Sequence, residues 1–134
     1  LLSGCSQKAA FEELADGVCS SEQAQLVDAH ISAQIDAMAQ QDWKLAYSFA
    51  SPGFRSGVDI DQFIFIINAQ YGMLLDNQGY AFNACTIADE KITQEVAIST
   101  DSEVFNLYYI LSVTGGVLGV DSSSSNLSEN KLEA

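Results

Sequence analysis

An α+β fold is predicted for this chain: three N-terminal helices packed on a curved antiparallel sheet of about four strands. Apolar residues recur at helical spacing in the first half, at Val27, Ile31, Ile35 and Met38, and alternate in the second, at Phe105, Leu107, Tyr109 and Leu111. The order supplies the third observation. Helical segments come first and strands follow, rather than alternating as in parallel α/β sheets. The chain has 134 residues, enough for one domain, and roughly 105 of them lie between polar ends, sufficient for one core.

The N-terminus reads Leu1-Leu2-Ser3-Gly4-Cys5, followed by the polar run Ser6-Gln7-Lys8. Leu2-Ser3-Gly4-Cys5 resembles the lipobox of bacterial lipoproteins, in which two small residues admit a signal peptidase and the cysteine thiol carries lipid. The resemblance implies that Cys5 is the lipidation site and that residues upstream are the remnant of a signal peptide. Two or three acyl chains, each buried methylene worth about 0.8 kcal/mol, hold a protein on a membrane. Ser6 rather than Asp follows the cysteine. The expected place is therefore the bacterial cell envelope, at the outer membrane facing the periplasm where there are two membranes. Residues 1–20 are read as signal remnant, lipidation site and leader, residues 21–121 as the folded domain, and residues 122–134 as a disordered polar tail rich in Ser, Asn and Glu.

The leader contains a short helical stretch, Ala9 to Leu14, ended by Gly17. Ser20 and Gln23 have the spacing of a capping box, and the first long helix starts there. A second helix runs from about Asp42 to Ala50, with Trp43, Ala46, Tyr47 and Ala50 on its apolar side. Ser51-Pro52-Gly53 breaks it. Asp59 with Gln62 caps a third helix, which continues through Tyr71 and Met73 to Leu75. Its run Phe63-Ile64-Phe65-Ile66-Ile67 is apolar nearly all round, which predicts burial between layers.

After Asn77-Gln78-Gly79 the period becomes two. Tyr80, Phe82, Ala84 and Thr86 form one face of the first strand. Ile92, Val96 and Ile98 mark the second, Val104 to Val113 the third, and Val117 to Val120 the last, with Thr114-Gly115-Gly116 as the hairpin turn. The residues expected at the helix–sheet interface are Val27, Ile31, Ile35, Trp43, Tyr47, Phe63, Phe65, Ile67, Ile98, Phe105, Leu107 and Leu111. Tyr108 and Ile110, on the other face of the third strand, leave a second apolar surface that a homodimer through the sheet would cover.

This layout, over about residues 22–121, resembles the nuclear transport factor 2-like (cystatin-like) superfamily, a cone of curved sheet around a long helix. The stretch Ile31 to Pro52 is similar to small envelope proteins of that superfamily. The ending Val113-Thr114-Gly115-Gly116-Val117-Leu118-Gly119-Val120 resembles the strand–turn–strand where many members have Gly-x-Trp-x-Ile, although no tryptophan follows the turn here. The resemblance implies a pocket between sheet and helices, in some members used for proton transfer by Asp, His and Tyr.

Charge narrows the function. Eighteen acidic residues face five basic ones, for a net charge of −13, so nucleic acid is excluded as a partner: phosphate binding needs clustered Lys and Arg. No zinc spacing, phosphate loop or nucleophile elbow is present, and no metal or other cofactor is expected. Cys19 and Cys85 remain after Cys5; they form either one disulfide, as an oxidising compartment allows, or two buried thiols. His30 is either a general base or a helix-edge residue bonded locally. Asp36 and Asp101 read as solvated. The pocket candidates are His30, Trp43, Tyr47, Phe65, Tyr71 and Phe105. Three functions fit: a lipid-anchored binding or interaction module for a small apolar ligand or a protein partner, a small pocket enzyme of isomerase or hydratase type, and a structural envelope protein whose pocket is filled.

Overall fold

The computed structural model describes residues 8–125. A helical turn at 8–10 opens it. Then come β1 (Gly17–Val18), α1 (Ser21–Ala39), α2 (Trp43–Ser48), α3 (Pro52–Gly57), α4 (Ile60–Gln70) and α5 (Gly72–Leu75). The chain ends in β2 (Gly79–Ala88), β3 (Lys91–Ser99), β4 (Val104–Thr114) and β5 (Val117–Ser124). The strands make an open antiparallel sheet in the order β1-β2-β3-β4-β5. The fold is therefore α+β, with more helices and one more strand than the periodicity indicated.

Local chemistry explains where the helices start. Ser20 accepts from the Gln23 amide at 3.1 Å while its own N–H donates to Gln23 Oε1 at 2.8 Å, so two otherwise unpaired donors are satisfied together. Asp59 and Gln62 repeat the device at α4. Ser51-Pro52 ends α2 as expected and also begins α3, an element the sequence reading lacked. Proline fits the first helical position because its missing N–H would be unpaired there anyway. Ser51 supplies the cap, accepting from the Phe54 amide at 3.1 Å. The predicted third helix is interrupted at Tyr71, whose ψ of 38° separates α4 from α5.

The core is one cluster between the helices and a single face of the sheet. Val27, Ile31, Ile35 and Met38 of α1 are buried, as are Ile98, Leu107 and Leu111 of the sheet and Phe63 and Ile67 of α4. Trp43, Tyr47 and Phe105 pack against this cluster while partly buried. Phe65 is a correction: it is 72 % exposed. Residues 63, 65 and 67 share a face in a strand, but on a helix Phe65 turns some 200° away from Phe63. Helix α4 thus lies on the surface with one apolar face inward, not between two layers.

The first predicted strand face is also corrected. The pairing runs Phe82↔Val96 and then Cys85↔Gln94, so β2 carries a bulge at Asn83-Ala84. One extra residue reverses the alternation. Tyr80 and Phe82 face the core before the bulge, and Cys85 and Ile87, not Ala84 and Thr86, do so after it.

Both ends of the domain extend past the boundaries read from composition. In the leader, Phe11 is buried in the core and β1 pairs with β2. At the other end β5 continues through Ser124, opposite Tyr108. Residues 126–134 of the tail and Cys5 lie outside the described residues.

Candidate functional site

The sheet's inner face carries two polar side chains at its centre. Gln94 of β3 and Tyr109 of β4 are direct cross-strand partners, and both are about 1 % exposed. Gln94 Nε2 donates to the carbonyls of Glu95 and Asn83. Among the described residues, Gln94 Oε1 and the Tyr109 hydroxyl have no partner. Burial pushes the Tyr109 phenol well above its ordinary range, so it is a proton donor at any ordinary pH. A side chain on this face stands roughly perpendicular to the sheet, which carries the Tyr109 hydroxyl toward the helical layer.

A half-open cavity of about 170 Å³ lies there, between helices and sheet. Met38, Phe63, Ile67, Leu74 and Val120 give it apolar walls, and Tyr109 contributes from the sheet. Gln34 of α1, 2 % exposed, and Gln70 of α4 are polar residues of the helical side. Gln34 Nε2 donates to the Ala46 carbonyl at 3.1 Å, which fixes the amide's orientation. Tyr71, at the break between α4 and α5, borders the cavity. Its hydroxyl donates to the Ser123 carbonyl at 2.8 Å, tying the helical layer to the end of β5.

Asp121 of β5 also borders the cavity. It is the extra residue between Leu111↔Val120 and Ile110↔Ser122. Its carboxylate accepts from Lys91 Nζ and from Ser112 Oγ, each at 2.8 Å. Partial burial pushes its pKa up, but hydrogen bonds from Lys91, Ser51 and Ser112 and the lysine's charge bring it below the ordinary value. Among the described residues no Lys, Arg or His lines this cavity.

Of the six pocket candidates read from the sequence, only Tyr71 lines the cavity. His30 points to the α2–α3 junction, where Nε2 is 2.9 Å from the Phe49 carbonyl and the ring meets the Phe49 ring edge-on at 5.1 Å. Burial depresses its pKa, against the opposing effect of that hydrogen bond. Trp43 and Tyr47 pack on Phe63, with centroids 6.2 and 5.5 Å away, and the Tyr47 hydroxyl donates to the Val58 carbonyl at 2.6 Å. Phe65 is on the surface. Phe105 lies near the start of β4, two turns of the pleat from Tyr109. Asp36 is exposed and accepts from the Tyr80 hydroxyl at 2.8 Å, and Asp101 is exposed in a turn. Asp28 has one carboxylate oxygen buried without a partner among the described residues, and burial raises its pKa, but it does not border the cavity.

The signal missed in the sequence was Gln94. It occupies a core position in the alternation Ile92, Gln94, Val96, Ile98, and a polar residue there marks the polar spot opposite Tyr109.

Cys19 and Cys85 are joined by a disulfide across a sequence separation of 66, and the Cys19 amide donates to the Cys85 carbonyl at 3.0 Å. The bulge in β2 turns Cys85 toward this partner. A second hollow, of about 400 Å³, lies between the leader and the β4–β5 turn, bordered by Lys8, Phe11, Glu12 and Glu90. Among the described residues it holds no unpartnered buried side-chain group. Among the described residues no cluster of His, Cys, Asp or Glu could hold a metal ion, and no helix is long and apolar enough to cross a membrane.

No curated protein and no solved structure matches the chain. Residues 20–116, from the cap of α1 to the β4–β5 turn, match the family described as a domain of unknown function (DUF4864), and the chain belongs to that family.

Proposed function

We propose that this domain is a non-enzymatic binding module, held on the cell envelope by lipid on Cys5, that takes a small, mainly apolar ligand in the cavity under Tyr109. The observation that carries the reading is the cavity itself: apolar walls, a few fixed polar groups and an opening to solvent, which is the usual composition of a ligand site. The long α1 on a bulged antiparallel sheet supports a cystatin-like cone of the nuclear transport factor 2 type, whose pocket occupies the same place between layers. The Cys19–Cys85 disulfide supports an oxidising compartment, in keeping with the lipobox-like Leu2-Ser3-Gly4-Cys5.

The isomerase or hydratase alternative needs a group that exchanges a proton near neutral pH. Around this cavity the phenol of Tyr109 stays protonated, and the Asp121 carboxylate is engaged by Lys91 and Ser112. His30 is spent on Phe49. A filled, purely structural pocket is disfavoured by the open volume.

Native mass spectrometry of the intact protein isolated from its own cells tests the binding reading. A small molecule at near-unit stoichiometry is expected, and Ile66→Trp, at the cavity wall, should eject it. A wild type that carries nothing, and whose melting temperature no small apolar compound raises, overturns it. The anchor is tested separately: Cys5→Ser in the full precursor should move the protein from the membrane fraction to the soluble one.

A further inference from the structure

The leader is fastened to the domain over nearly its whole described length. Phe11 is buried in the core, the Ala10 carbonyl accepts from Gln23 Nε2 at 2.9 Å, and Asp16 Oδ1 accepts from the Asp89 amide at 3.1 Å. Cys19 closes its far end through the disulfide to Cys85. Residues 8–19 therefore belong to the folded body and are not a flexible linker that lets a domain wander from its anchor.

Lys8 sits on the β4–β5 turn. A Cβ on Gly116 would fall 3.4 Å from the Lys8 Cα and 2.7 Å from its Cγ. Cys5 precedes Lys8 by three residues, and three residues span at most about 11 Å whatever path they take. A lipid on Cys5 thus brings a bilayer surface within that reach of Lys8 and the turn. The β2–β3 turn stands at the same end of the sheet, since Glu90 and Gly116 border one hollow. Val117, beside the β4–β5 turn, is 60 % exposed and gives this end an apolar tip.

Charge selects the kind of surface. Lys8, Glu12 and Glu90 border the hollow, and Asp89 is exposed beside Glu90, so carboxylates outnumber the lysine. Anionic lipid attracts polybasic segments and repels an end of this charge. A zwitterionic surface does not.

Resting on the lipid-anchor reading above, we propose that the end of the sheet formed by the β2–β3 and β4–β5 turns is a membrane-docking surface, with Val117 against a zwitterionic bilayer. Tyr109 lies five residues along β4 from Thr114, about 17 Å away. Docking by the turns therefore holds the cavity that Tyr109 lines out of reach of a lipid that stays in the bilayer.

The test uses the lipidated full chain in vesicles of phosphatidylcholine and phosphatidylethanolamine that carry a headgroup quencher. A fluorophore is attached to Val117→Cys, Thr114→Cys or Asp101→Cys. Asp101 lies between β3 and β4, beyond the opposite end of β4, about 34 Å or more from the docking end. Fluorescence at positions 117 and 114 should be lost to the quencher. That at position 101 should stay at the level seen when Cys5→Ser protein is mixed with the same vesicles. Either of the two docking-end labels suffices if the other substitution prevents folding. Equal loss at the two ends, or greater loss at 101, in protein that stays on the vesicles overturns the docking surface and leaves the anchor standing. Wild-type protein that does not stay on the vesicles overturns the anchor and the docking surface together. Replacing about a third of the lipid with phosphatidylglycerol should weaken the quenching at 117, and unchanged quenching overturns the zwitterionic preference.

Discussion

Gln94 and Tyr109 face each other across β3 and β4, and each buries a polar atom that has no partner among the described residues. Most buried polar groups in folded proteins are paired, and the exceptions tend to mark a bound molecule or a functional strain. Tyr109 lines the cavity, whereas Gln94 does not border it.

Tyr109→Phe removes a hydroxyl that is desolvated and unbonded. The variant should be more stable than wild type by about 1 kcal/mol in the absence of ligand, because no hydrogen bond is lost and a desolvation cost is removed. Urea unfolding monitored by circular dichroism measures it. A loss of stability would mean that the hydroxyl has a partner, such as an internal water.

Gly119 packs against the backbone of Ser51, where a Cβ on Gly119 would fall 2.5 Å from the Ser51 Cα. The approach is part of a short parallel bridge, with the Ser51 amide donating to the Val120 carbonyl at 2.9 Å and the Val120 amide to the Phe49 carbonyl at 3.0 Å. Gly119→Ala should cost about 1–3 kcal/mol, since backbone has to move to admit the methyl group. Faster amide exchange at Ser51 and Val120 would locate the damage, and an unchanged denaturation midpoint would refute the close approach.

The two-residue hairpin turns β2–β3 and β4–β5 differ in how well their residues suit them. Gly115 and Gly116 take φ of 60° and 81°, and Asp89 and Glu90 take φ of 51° and 65°. Both turns place two residues in the left-handed region, as a two-residue type I′ hairpin requires. Glutamate is poorly suited to that conformation. Glu90→Gly should therefore raise stability by about 0.5–1 kcal/mol, read as an upward shift in melting temperature. A downward shift would show that the glutamate side chain contributes more than its backbone costs.

Reducing the Cys19–Cys85 disulfide should lower stability by about 2–4 kcal/mol, the typical effect of closing a long loop in the unfolded chain. Denaturant titrations with and without reductant measure this. The β1–β2 pairing should be the first to open on reduction, visible as exchange of the Cys19 amide that bonds Cys85. Equal midpoints in the two titrations would contradict the linkage.

His30 should make the fold acid-sensitive in a defined window. Its folded-state pKa lies below the ordinary value because the ring is buried. The unfolded chain therefore binds the proton more readily, and stability falls as pH drops through the ordinary histidine value of about 6.5 toward the depressed folded one. Above the ordinary value both states are neutral and the effect vanishes. His30→Gln retains a donor for the Phe49 carbonyl and does not titrate, so its stability should fall less than that of wild type between pH 7 and pH 5. Parallel pH profiles would refute the assignment.

Local chemistry in the sequence determined a good part of this protein. The capping pairs Ser20/Gln23 and Asp59/Gln62 mark helix starts that the structure reproduces, because a cap needs only residues three positions apart. The stripe Val27, Ile31, Ile35 and Met38 and the inward face of β4 follow from the periods of helix and strand, which are properties of the backbone alone. Tertiary structure decided the rest. The bulge at Asn83-Ala84 reverses β2, and no local pattern announces one inserted residue; it shows only when β2 is paired with β3. Phe65 lies outside because α4 has a single neighbouring layer, a fact of packing rather than of hydrophobicity. The cavity draws Gln34, Phe63, Tyr71, Tyr109 and Val120 from separate elements, and its volume is whatever their side chains leave unfilled. Periodicity can say which way a side chain points, but not which distant side chain fails to reach it, and the site under Tyr109 is made by that failure.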